Sequence, residues 1–199
     1  MKVKLKDILL KLCQPMLNEE ETACIGMENI LKLLNWNVLD INYVRRQYKL
    51  CQIPYKADYI LHNKNINRPI IVIELKPAGG FGKEYLYGAE LGFWRILDWQ
   101  RIKHSLPKDE SAQKSLFGLA KCAQIFDSIK YCILSTADNY LIWKRDTLRK
   151  PQTTISTENF PDPDIEIRFS TITHHYNNCK ILNQFKILYS IIGFEKIIE

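Results

Sequence analysis

The stretch that most constrains this chain is residues 57–76, from Ala57-Asp58-Tyr59-Ile60-Leu61 through Ile70-Ile71-Val72-Ile73-Glu74-Leu75-Lys76. It reads as a strand carrying Asp58, a polar turn around Lys64-Asn65-Ile66-Asn67, and a β-branched apolar strand that runs directly into two charges. Glu74 and Lys76 lie two apart, so on a strand they share a face. Charges at the end of a buried strand are unfavourable unless they have a task. If the two strands are hairpin neighbours, Asp58 lies beside Glu74. Two carboxylates converging near a lysine suit a hard divalent cation held by oxygen ligands. That chemistry serves phosphodiester hydrolysis, in which a metal polarises the phosphate and lowers the pKa of a water. An acid-x-Lys triplet alone occurs by chance in most proteins. The preceding aspartate and the apolar run leading in set this one apart.

A chain of 199 residues is long enough for one domain with its own core. Its 46% apolar and 25% charged residues are a globular rather than a disordered composition. The net charge of +6 favours a polyanionic partner. The six cysteines form no C-x-x-C pair, and the apolar segment Ile8 to Leu12 is broken by Lys11, too short for a secretory signal. Reduced thiols and a cytoplasmic location are expected. No apolar run has the length of a membrane span. His174, His175 and Cys179 have no second ligand pair that would make a zinc site.

Read in order, residues 1–12 predict a short helix. Asn18 is a candidate N-cap for a second helix reaching Trp36, with Glu19, Glu20 and Glu21 in its first turn. Two of those three glutamates are ascribed to complementing the helix dipole. Strands are expected over 38–50, 55–62 and 69–75, and a hairpin over 131–144 turning at Ala137-Asp138-Asn139. Helices are expected over 84–106, 108–126 and 181–192, with an irregular proline-bearing connector over 150–164. Gly79 to Lys83 is not a phosphate loop, because Pro77 and Glu84 stand where glycine and Ser or Thr are required.

In this order the pieces resemble the PD-(D/E)xK nuclease superfamily. More narrowly, they are similar to the N-terminal nuclease domain of type I restriction enzyme R subunits and its stand-alone relatives. The matching segments are Asn18-Glu19-Glu20-Glu21-Thr22 with Ile30-Leu31-Lys32-Leu33-Leu34-Asn35-Trp36, Lys56-Ala57-Asp58-Tyr59-Ile60-Leu61, Ile71-Val72-Ile73-Glu74-Leu75-Lys76, Gln113 four before Phe117, and Ile133-Leu134-Ser135-Thr136. They cover roughly residues 17–146.

The resemblance implies an α/β, restriction-endonuclease-like fold: a central mixed sheet of about four or five strands flanked by helices. It implies one nuclease-like domain over 1–199, with its core at about 17–146 and an extension at 151–199 packing on it. Asp58, Glu74 and the Leu75 carbonyl would bind Mg2+ or Mn2+, and Lys76 would orient or help deprotonate the attacking water. Glu19 would reach the metal or its waters, and Gln113 would support Lys76 or a phosphate. About 36 residues lie between Lys76 and Gln113, more than in relatives, and Phe117 replaces the expected tyrosine. Gln100 is therefore a rival to Gln113.

The implied function is a metal-dependent endonuclease acting on DNA in restriction, defence or repair. The assemblies implied are a homodimer or a larger defence or repair complex, and no membrane is involved. The alternative is a non-catalytic nucleic-acid-binding, regulatory or scaffold module keeping the fold. With no Walker A loop, the chain carries no ATP-driven motor of its own.

Overall fold

The computed structural model describes residues 2–12, 17–49, 55–63, 65, 67–78, 110–149, 160–169 and 178–198. The predicted helix over 84–106, Gln100, His174 and His175 lie outside them.

Helix α1, Lys2–Leu12, buries Leu5, Leu9 and Leu12, one stripe at helical spacing. The next helix, α2, begins with Glu19–Glu21, passes through a π-helical segment, Thr22–Met27, and finishes as Glu28–Leu33. Asn18 caps it as the sequence predicts. Its Oδ1 accepts from the Glu21 N–H at 2.8 Å, and Glu21 Oε2 accepts from the Asn18 N–H at 2.9 Å, a reciprocal capping box. The helix ends at Asn35, whose φ of 68° turns the chain out, and the Trp36 N–H closes back on the Leu31 carbonyl.

Six strands follow: β1, Val44–Lys49; β2, Lys56–Asn63; β3, Arg68–Leu75; β4, Tyr131–Ser135; β5, Asn139–Lys144; and β6, Ile165–Arg168. They form one mixed sheet in sequence order, antiparallel throughout except for the parallel β3–β4 pair. That parallel pair requires a crossover, and the helix α3, Glu110–Ile125, lies within it.

The sheet has six strands where four or five were expected. β6 is the addition; its Ile-x-Ile alternation carries the signal, immediately after a proline-rich stretch. β1 is shorter than the predicted 38–50 strand because Asn37 and Asp40 accept from the N–H groups two residues on (Leu39 and Asn42), which folds residues 37–43 into turns.

Both faces of the sheet are covered. Ile71 and Ile73 join Leu9, Met27, Ile30, Tyr59 and Phe185 in the larger core, beneath α1, α2 and the C-terminal helix α5, Asn178–Ile192. Val72 points the other way and joins Ile60, Leu116, Leu119, Cys132 and Trp143 beneath α3. This double burial explains the unbroken apolar reading of β3. Two short helices complete the described residues: α4, Arg145–Arg149, and α6, Phe194–Ile198. Among the described residues, Cys24, Cys122, Cys132 and Cys179 are free thiols, and no helix is long and apolar enough to cross a membrane.

Candidate active site

The register of the β2–β3 hairpin determines what meets at its end. Tyr59 faces Ile73, Ile60 faces Val72 and Leu61 faces Ile71. One step further in this register, Asp58 stands opposite Glu74, and there the regular ladder stops. The Leu75 N–H donates to Asp58 Oδ2 at 2.7 Å, so a side chain takes over where the strand backbone would have paired. Both carboxylates are buried, at 8% and 7% exposure. On the other side of Asp58, Gln47 occupies the matching place on β1, between the pairs Arg46–Tyr59 and Tyr48–Ala57. Its Nε2 donates to Asp58 Oδ1 at 2.6 Å.

Glu74 is held by three donors. Lys76 Nζ lies 3.0 Å and Ser115 Oγ 2.6 Å from Oε1, and Tyr55 Oη donates to Oε2 at 2.5 Å. Lys76 itself is anchored by its N–H donating to the Ser135 carbonyl at 2.8 Å. Ser115 comes from α3. The Tyr55 ring reaches across at Gly118, where an added Cβ would stand 2.2 Å from two ring carbons. Burial, then the adjacent Glu74 charge, raise the Tyr55 hydroxyl well above its ordinary range and keep it a donor.

The electrostatics are those of crowded carboxylates. Burial first, and Glu74 second, push the Asp58 carboxyl up to about 7, while the Leu75 N–H and Lys76 pull the other way. Half-buried Glu19 feels the same neighbours: burial raises its carboxyl, Lys76 lowers it and Glu74 raises it again. Among the described residues, Glu19 makes no hydrogen bond within the site. Its two companions are engaged elsewhere, Glu21 in the capping box and Glu20 with Arg46 at 3.0 Å. Arg46 also pairs with Glu28 at 2.8 Å.

The donor set suits a hard cation. Among the described residues, five donors fill five of the roughly eight lone-pair positions on the two carboxylates, two on Asp58 and three on Glu74. Among the described residues no three His, Cys, Asp or Glu side chains are grouped to hold a metal alone. The described side chains therefore offer two carboxylates, and a hard cation such as Mg2+ ordinarily completes so small a set with backbone carbonyls, water or phosphate.

The structure thus brings together Asp58, Glu74 and Lys76, with Glu19 close by. Gln113 lies on α3, two residues before Ser115, and its side chain is outside the described residues. Three contributors carry no local sequence signal: Gln47, Tyr55 and Ser115. Gln47 also has a φ of 49°. A non-glycine residue in the left-handed region costs of order 1–3 kcal/mol. At the same end of the sheet, Lys49 and Lys56 face each other directly across β1 and β2, both exposed and, among the described residues, neither paired with an acid.

No protein-family model, curated protein or solved structure matches this chain.

Proposed function

We propose that this site hydrolyses DNA phosphodiester bonds with a divalent metal, on a restriction-endonuclease-like core of the PD-(D/E)xK kind. One observation carries the reading: Asp58 and Glu74 stand opposite each other where β2 and β3 part, with Lys76 3.0 Å from Glu74. The order of α2 with Glu19, the aspartate strand, the Glu-x-Lys strand, α3 and β4 supports it as well. Bound Mg2+ or Mn2+ would polarise the phosphate and lower the pKa of a water. Asp58, Glu74 and the Leu75 carbonyl would hold that ion. Lys76, on the rim of the carboxylates, orients the attacking water and takes part in its deprotonation. Tyr55 and Ser115 keep Glu74 from rotating. The exposed Lys49 and Lys56 attract the phosphate backbone, whose contact releases counterions.

The second reading, a nucleic-acid-binding module without catalysis, is favoured by the three donors that already satisfy Glu74. A plasmid nicking and linearisation assay in Mg2+, Mn2+ or EDTA separates the two. The expected result is metal-dependent nicking that Asp58→Ala and Glu74→Ala abolish. DNA binding with no metal-dependent cleavage by the wild type supports the module instead.

A further inference from the structure

We propose that Gln47 is the positioning residue that aims the Asp58 carboxylate at its cation, an inference that rests on the metal site proposed above. Asp58 is pinned at both oxygens, Oδ2 by the Leu75 N–H at 2.7 Å and Oδ1 by Gln47 Nε2 at 2.6 Å. The first clamp is backbone and present whatever the side chains. The second exists only because residue 47 bears an amide of this length. The amide presents its NH2 group to Asp58, and the lone pairs left over on the ionised Asp58 point along directions that the two clamps fix.

The backbone supports a role beyond packing. Four described non-glycine residues have positive φ. Asn35 ends a helix, Asn67 lies in the β2–β3 turn and Ala137 in the β4–β5 turn, where chain reversal accounts for the conformation. Gln47 alone stands inside a strand, with the β1–β2 register unbroken on either side of it. No reversal asks for that conformation, and asparagine or glycine would adopt it more easily. What this conformation accompanies is the bond to Asp58.

The amide also fits the task chemically. A lysine at position 47 would hold Asp58 equally well but neutralise the charge that attracts the metal. A carboxylate there would repel Asp58 or take the ion itself. An amide orients without doing either. Lys76, by contrast, bonds Glu74, so among the described residues only Gln47 and the Leu75 N–H bond Asp58. Removing a group that orients a metal-binding carboxylate ordinarily weakens metal affinity or activity about 10–100-fold.

The test is Mn2+ calorimetry on the full chain, with melting temperatures taken in EDTA, for wild type, Gln47→Gly, Gln47→Asn and Asp58→Ala. Glycine accepts the backbone and deletes the amide. Asparagine accepts the backbone and carries an amide one methylene too short. Both are expected to bind Mn2+ about 10–100-fold more weakly while still folding in EDTA. A merely structural role would change melting and leave the Mn2+ affinity of the folded protein alone. Wild-type Mn2+ affinity in either Gln47 variant, alongside lost binding in Asp58→Ala, overturns the role of Gln47 and leaves the metal site standing. Wild-type affinity in Asp58→Ala overturns the metal site and this inference with it.

Discussion

Gly118→Ala on α3 is expected to destabilise the protein, against what helix propensity alone predicts. In a helix interior, alanine in place of glycine gains about 1 kcal/mol. Here the new Cβ would stand 2.2 Å from Cδ2 and Cε2 of Tyr55 and 2.6 Å from its Cγ. Because Cγ is included, turning the ring about its own axis gives no relief, and the whole ring must move by more than 1 Å to reach ordinary contact. Such overpacking costs roughly 1–3 kcal/mol. The displaced hydroxyl also loses its 2.5 Å bond to Glu74, a charged partner, for roughly 1.5–3 kcal/mol more. Against the propensity gain, the net loss is about 1.5–5 kcal/mol. The assay is urea denaturation of wild type, Gly118→Ala, Tyr55→Ala and the double variant. With the ring gone, the sign should reverse, and alanine at 118 should stabilise the Tyr55→Ala background by about 1 kcal/mol. Stabilisation in both backgrounds would refute the seating of Tyr55 over α3.

Lys76→Ala, compared with wild type in Mg2+, should melt and bind DNA normally yet nick at least about 10²-fold more slowly, the scale of a positioned proton-transfer group. In EDTA the same variant leaves Glu74 without its cation and should lose roughly 3–5 kcal/mol in urea melts. Asp58 holds a proton in the folded state up to about pH 7 that the unfolded chain releases near pH 4. Stability in EDTA should therefore be fullest below about pH 4 on this account and fall as pH rises through 7, by up to about 1.4 kcal/mol per pH unit. Asp58→Asn should flatten that slope in a pH series of denaturation curves, and an unchanged slope would refute the assignment. Lys49→Ala and Lys56→Ala should each reduce the slope of log affinity for DNA against log salt by about 1; titrations with the wild-type slope would remove them from the interface.

Much of this architecture is legible in the sequence because it is periodic or local. Ile70 to Ile73 between polar ends announces a strand buried on both faces, and the hairpin at Ala137 follows from its turn residues. Asn18 with Glu21 three residues later gives the start of α2. Asp58 opposite Glu74 follows from strand order once the two strands pair. Other features depend on partners distant in sequence. Ser115 lies 41 residues from Glu74 and Gln47 lies 11 from Asp58, so nothing in their own neighbourhoods distinguishes them from an ordinary helical serine and a polar strand residue. Tyr55 is legible only together with Gly118, since the helix glycine is what makes room for the ring. The π-helical segment at Thr22–Met27 has no composition that announces it; what it accompanies is the buried bond from the Ala78 N–H to Thr22 Oγ1 at 2.8 Å, a contact 56 residues apart in sequence. The turns over 37–43 and the strand β6, by contrast, carry readable signals in their Asn and Asp spacing and in their apolar alternation.

The position of β1 gives the bend at Gln47 a meaning for the behaviour of whole molecules in solution. Among the described residues β1 is a terminal strand of the sheet, and a terminal strand left uncovered offers its outer N–H and C=O groups to any passing chain. An incoming strand needs a flat, continuous row of such groups. Here the row is broken midway by a left-handed residue and flanked by Arg45, Arg46 and Lys49. The same bend that accompanies the amide on Asp58 therefore discourages edge-to-edge self-association, and replacing it with a regular extended β-branched residue would lengthen the sticky edge even as it relieved the strain.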